Sequence, residues 1–137
     1  MSACGVLCTD CPAYLGETKG LAYQQQVAEA WHRIYGLNEV ASNISCSGCL
    51  GPFEEVFHTS RQCKARDCCL AKGFSNCAEC PDLSCEILEK AQSVWDEVPE
   101  QISRISASDF ETYARPYCGH RQRLAAARTA FRARGPG

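Results

Sequence analysis

Residues 4–14 read CGVLCTDCPAY, with Cys4, Cys8 and Cys11 inside eight residues and Pro12 directly behind the last thiol. Three thiols this close together do not fill a tetrahedral ion's four positions, so the stretch needs partners from elsewhere in the chain. How it finds them decides the fold. The rest of the sequence supplies nine further cysteines, making twelve in 137 residues. A density of this order means either a disulfide scaffold or metal sites. The first residues show no basic stretch followed by an apolar run, and no 18-residue apolar span occurs anywhere. The expectation is therefore a cytoplasmic protein with reduced thiols, and metal rather than disulfides as the staple.

The apolar inventory points the same way. Five Phe, five Tyr and two Trp are the only aromatics, and alanine and cysteine make up much of the hydrophobic 45%. A core this thin calls for cross-linking.

Three cysteine pairs carry the two-residue gap of a metal knuckle: Cys8/Cys11 in CTDC, Cys46/Cys49 in CSGC and Cys77/Cys80 in CAEC. That gap lets a tight turn aim two thiolates at one ion about 2.3 Å away, and Gly48 tolerates the positive φ that such a turn uses. The single thiols are Cys4, Cys63 and Cys68 around KARD, Cys69, Cys85 and Cys118. Cys85 falls where a helix should begin, with free amides to favour a thiolate. Cys11-Pro12 reads as a similar helix start, with Pro12 in the first turn.

Around these lie the helical signals. In LAYQQQVAEAWHRIYGL, Tyr23, Val27, Ala30, Trp31 and Ile34 fall on one helical face, and Gly36 suits its C-terminal end. From Asn43 to Cys85 the periodicity fades, leaving loops and short helical turns near Phe53–His58 and Asp67–Lys72. A second helix is expected from Ser84, its stripe formed by Leu88, Ala91, Trp95, Val98, Ile102 and Ile105, with a kink at Pro99. Ser108-Asp109-Phe110-Glu111 has the form of a capping box, with Phe110, Tyr113 and Tyr117 facing inward behind it. A final helix, HRQRLAAARTAFRAR, sets Leu124, Ala127 and Phe131 opposite its arginines.

The expected fold is mainly α, a small cysteine-rich, metal-stapled domain with irregular zinc-knuckle loops packed on three to four helices. It is one domain over residues 1–137, metal-rich in 1–90 and helical in 84–134.

The order CGVLCTDCPAY, CSGC, CKARDC, GFSNCAECPDLSC resembles the family called domain of unknown function 3795, over roughly residues 4–90, with a weaker echo in RPY at 115–117. That resemblance matches Cys4, Cys8, Cys11, Cys46, Cys49, Cys63, Cys68, Cys77, Cys80 and Cys85 to the family's cysteines, and Trp31, Arg66 and Gly73 to its other recurring positions. It implies metal binding and no particular reaction. Cys69 stands where a small residue such as alanine is usual, Ser84 where proline often precedes the last cysteine, and Cys118 where an acidic residue is common. Cys69 and Cys118 are accordingly read as buried thiols. His32 and His120 read as surface or boundary residues, whereas His58 lies between two cysteine groups and is a candidate ligand.

Zn2+ in two or three ions is the expected cofactor, since closed tetrathiolate sites contribute folding energy outright. An iron–sulfur cluster is the alternative, although the run C-x2-C-x2-C-x3-C-P is absent. Three function classes follow: a structural zinc module presenting a surface to a protein or nucleic acid, an iron–sulfur redox carrier, and a small metalloenzyme. The last would need an acid such as Glu54, Glu55 or Glu79 near an open metal. No Gly-rich phosphate loop, GxSxG or HExxH is present, which speaks against an enzyme.

Residues 113–137 hold six arginines and no acid, a local +6 against −8 elsewhere, within a net charge of −2. Two tetrathiolate zinc sites would lower the total by two each, to about −6. A general nucleic-acid binder is disfavoured, and the arginine-rich helix is the local candidate for a partner. From loop length, Cys46, Cys49, Cys63 and Cys68 are expected to close one tetrad. Cys77, Cys80 and Cys85 would then draw on at least one of Cys4, Cys8 and Cys11.

Overall fold

The computed structural model describes residues 1–82, 85–98 and 102–135. Six α-helices occur among them: α1 (Gly16–Lys19), α2 (Leu21–Tyr35), α3 (Lys64–Lys72), α4 (Glu86–Asp96), α5 (Ala107–Tyr113) and α6 (His120–Ala133). Short 3-10 turns join them, and among the described residues there is no sheet, only one isolated parallel bridge between Tyr14 and Cys46. The mainly helical expectation holds. The helices outnumber the expected three to four because α1 is a single turn and the short turn expected near Asp67–Lys72 is a full helix beginning at Lys64. No helix among the described residues is long and apolar enough to cross a membrane.

Helix α2 follows its periodicity: Val27, Ala30 and Trp31 are buried, and Gly36 ends the helix in the left-handed region at φ 70°. Helix α4 buries its own stripe, with Leu88 and Ala91 packed inward and Trp95 stacked on Tyr117 at 5.0 Å. Its expected start at Ser84 and kink at Pro99 lie outside the described residues.

Two local expectations are corrected. The cap of α5 is Ser106, whose hydroxyl accepts from Asp109 N at 3.1 Å, rather than Ser108. Starting two residues earlier makes Asp109 the third helical residue, and its carboxylate meets Arg33 at 2.6 Å. The Cys11-Pro12 step leads into a turn, not a helix. There Leu15 donates its N–H to Cys46 O at 2.8 Å and takes φ 55°, and α1 begins only at Gly16.

Apolar side chains gather in three small clusters rather than one core. One holds Ala3, Ala65, Cys69, Cys77, Ala78 and Leu124; the second Cys4, Val6, Val98 and Tyr117; the third Ala13, Val27, Trp31 and Ile44. Cysteines appear in or against all three, so the thiols fill the seams where a larger domain would place leucine.

At the centre of the molecule lies the loop of residues 2–7. Ser2 N donates to Val6 O at 2.8 Å and Val6 N to Ser2 Oγ at 2.9 Å, closing a tight turn. Its outward carbonyls are all taken up by later elements. Ala3 O accepts from Cys77 N at 3.0 Å, Cys4 O from Gln92 Nε2 at 3.1 Å, and Gly5 O from Arg123 at 2.6 Å. Leu7 N donates to Pro116 O at 3.0 Å. The chain's first residues are thus held by the third knuckle, α4 and α6 through backbone carbonyls.

Candidate metal centre

All twelve cysteines are free thiols. The three knuckles form as their spacing requires. Cys8–Asp10 and Cys77–Glu79 are 3-10 turns, closed by Cys11 N to Cys8 O at 3.1 Å and Cys80 N to Cys77 O at 3.2 Å. In the middle knuckle Gly48, at φ 102°, turns its N–H onto Cys46 Sγ at 3.4 Å. Cys63 and Cys85 occupy the N-cap positions of α3 and α4. Both thiols thus sit at the positive end of a helix, the position anticipated for Cys85, without a side-chain bond to the first-turn amides.

Ten of these residues and Cys69 fall into two groups. In the first, burial pushes the Cys49 thiol up to about 12, with smaller contributions from the neighbouring Cys8, Cys4 and Cys63. Cys11, raised to about 11 chiefly by burial, feels Cys8 and Cys46, and Cys8 feels Cys46 and Cys4. The first group is thus Cys4, Cys8, Cys11, Cys46, Cys49 and Cys63. In the second, Cys77 is buried and raised beside Cys69 and Cys85, while Cys69 is raised by burial and by Cys68 and Cys80. Lys72 stands beside Cys68, Cys80 and Cys85, and their negative charge strengthens its hold on its proton.

The division departs from the expected tetrad, because Cys63 and Cys68 go to different groups. Cys63 is the extended N-cap of α3, whereas Cys68 lies inside the helix. The crossing from the N-terminal trio is present as a contact between groups: Cys4 is close enough to Cys77 for the charge of one to oppose the other.

Backbone amides bear on the first group's sulfurs: the Cys49 N–H lowers the Cys8 thiol, that of Ala3 lowers Cys49 and that of Ala13 lowers Cys11, while Ser2 Oγ lies 3.4 Å from Cys4 Sγ. Each such bond favours the charged thiolate. Arg66, 4% exposed, holds the middle knuckle from behind, its Nε and NH2 donating to Cys49 O and Gly51 O, both at 2.8 Å. Tyr117 OH closes on Cys11 Sγ at 3.0 Å.

In the second group Cys69 Sγ and Cys77 Sγ are 3.6 Å apart. Cys85 opens onto a groove of about 410 Å3 between α4 and α6, whose walls include Glu86, Glu89, Arg121 and Arg128. Arg128 reaches across it to donate to Cys77 O at 3.1 Å. Among the described residues, no three Cys, His, Asp or Glu side chains are already drawn around a single point.

Residues outside the groups sort themselves. Cys118 stands apart, raised by burial and lowered by Arg123. His58 is exposed and pairs with the Glu39 carboxylate at 2.9 Å, not with thiols. His32 is exposed, as expected. His120 is not: it is buried, with Nε2 2.9 Å from Gln92 O and 3.1 Å from Asp96. Gly5 brings the loop backbone close against its carbonyl, which covers it. Glu54 and Glu55 are exposed, and Glu79 lies close enough to Cys69 to oppose its ionisation.

Four of the six arginines in the segment read as a basic face are engaged within the molecule, while Arg132 and Arg134 are exposed. Arg121 clamps Glu89 and Asp96, Arg123 binds Gly5 O and Cys118 O, Arg128 binds Cys77 O, and Arg115 pairs with Asp10 and Glu111. Carbonyl acceptors leave no mark in a sequence, so charge count alone could not reveal this use.

No curated protein and no solved structure matches the chain. Its knuckles, their order and the helix-capping thiols lie within residues 1–90, and over those residues the chain matches, and belongs to, the family described as Protein of unknown function (DUF3795).

Proposed function

We propose that the protein is a zinc-binding module in which the metal is mainly structural, one ion being held by each thiol group. The observation that carries this reading is that thiols from three stretches, Cys4 with Cys8 and Cys11, Cys46 with Cys49, and Cys63, lie close enough to oppose their neighbours' ionisation, with the Gly48 N–H donated to Cys46 Sγ. Soft thiolate donors suit zinc and iron–sulfur clusters over hard cations. Zinc is preferred because paired knuckles with irregular loops make closed four-coordinate sites. Burial, with a smaller contribution from mutual repulsion, raises these thiols, and a dication between them would favour the thiolate form. The 3.6 Å between Cys69 Sγ and Cys77 Sγ approaches the tetrahedral edge of about 3.8 Å that follows from Zn–S bonds of about 2.3 Å.

Elemental analysis of anaerobically purified full-length chain tests it. Two zinc per chain with negligible iron is expected, and chelation under reducing conditions should abolish most of the cooperative melt. Stoichiometric iron and sulfide, or metal-free protein with an unchanged melt, would overturn the reading.

A further inference from the structure

Two opposite charges line the groove between α4 and α6 without meeting. The helices run antiparallel there: His120 and Arg121 bond to Gln92 and Asp96 late in α4, while Arg128 reaches Cys77 in the knuckle that precedes it. Arg121 is fully engaged by Glu89, Gln92 and Asp96. Arg128 is not. Its NH2 donates to Cys77 O, its Nε is buried with no hydrogen-bond partner, and no carboxylate pairs with it among the described residues. A buried donor left in this state calls for an acceptor. On the α4 side Glu86, the first residue of the helix, is exposed, and its carboxylate is likewise unpaired among the described residues. Leu88, Leu124 and Ala125 give the same groove its apolar lining.

We infer that this groove is a binding site for a free aliphatic α-amino acid. The ligand's carboxylate takes the guanidinium of Arg128, its ammonium takes Glu86, and its side chain lies on Leu88 and Leu124. A simple anion would satisfy Arg128 but meet Glu86 as a like charge, and a simple cation would reverse the problem. A zwitterion answers both, and the apolar lining selects its side chain. The volume of about 410 Å3 suits a ligand of this size, since small-molecule sites span roughly 300–1,000 Å3. Arg128 is the stronger anchor, because it is half-buried and its planar fork offers a carboxylate two parallel donors, whereas Glu86 contributes an exposed pair. No metal takes part, so the site stands or falls separately from the proposed zinc centres.

The test is a titration of isotope-labelled full-length chain followed by nuclear magnetic resonance at the Arg128 Nε–H and the Leu88 and Leu124 methyls. L-leucine is expected to shift these signals saturably, with a Kd on the order of 1 mM for so small a ligand. 3-Methylbutylamine, which lacks the carboxylate, should bind at least about tenfold more weakly. 4-Methylpentanoate, which lacks the ammonium, should bind about threefold more weakly. Glu86→Gln, a surface change outside any packed contact, should weaken leucine by about the same threefold and erase its advantage over 4-methylpentanoate. Arg128→Gln should weaken leucine about tenfold; if that variant fails to fold, Glu86→Gln and the ligand series decide. Three results would each overturn the inference: no saturable shift at about 20 mM leucine, an amine that binds as tightly as leucine, or a leucine advantage that survives Glu86→Gln.

Discussion

Arg66→Met separates the guanidinium's hydrogen bonds from the packing of its stem. Arg66 is 4% exposed and donates to Cys49 O and Gly51 O at 2.8 Å, and methionine preserves most of the apolar stem. A hydrogen bond from a charged donor contributes roughly 1.5–3 kcal/mol. Two of them are lost, but water can replace part of the interaction at these half-buried carbonyls, so the expected cost is about 3 kcal/mol. The ion pair with Asp67 at 3.6 Å adds little, because that carboxylate is 58% exposed. Against a typical total of 5–15 kcal/mol the loss is large. In urea, at fixed free zinc, a slope near 2 kcal/mol/M converts it into a midpoint shift of about 1.5 M. The middle knuckle should also release zinc faster to a competing chelator. A midpoint shift below about 0.3 M with an unchanged slope would refute the idea that Arg66 holds the knuckle in place.

Gly5→Ala and Gly20→Ala form a matched pair, since both sites have φ near +100° (109° and 98°), but a Cβ at Gly5 falls 2.1 Å from His120 O while one at Gly20 meets nothing within 4 Å. Gly20→Ala should show only backbone strain of about 1–3 kcal/mol, and Gly5→Ala a markedly lower Tm; equal melts would contradict the packing of the 2–7 loop. Arg121 holds the Glu89 and Asp96 carboxyls below their usual range through hydrogen bonds to both. Stability from this clamp is therefore present above the ordinary carboxylate pKa of about 4 and lost as pH falls through the lowered folded-state values. The stability gap between the parent and Arg121→Gln should narrow as pH falls through that range, and a gap independent of pH would rule the clamp out.

The knuckles were legible because their chemistry is local: a two-residue gap forces a turn whatever surrounds it, and CTDC and CAEC both fold as 3-10 turns. The α2 stripe was legible because Val27, Ala30 and Trp31 repeat at helical spacing. The grouping of thiols was not. It depends on α3 forming across the Cys63–Cys68 interval, and α3 has almost no amphipathic pattern of its own; its burial of Ala65, Arg66 and Cys69 comes from tertiary packing. The burial of His120 was hidden for a related reason, since its cover is the backbone near Gly5, far away in sequence.

The central loop also sets an order in time. Cys4 O waits for a donor 88 residues later and Gly5 O for one 118 residues later. Ribosomes add about 5–20 residues per second, so roughly ten seconds separate the appearance of this loop from that of its last partner. During that interval the nascent chain carries its reactive thiols before the helices that will enclose them have been made. Final closure waits for α6, and the second thiol group, held by the same loop, can be sealed only after the sequence that forms that helix has emerged.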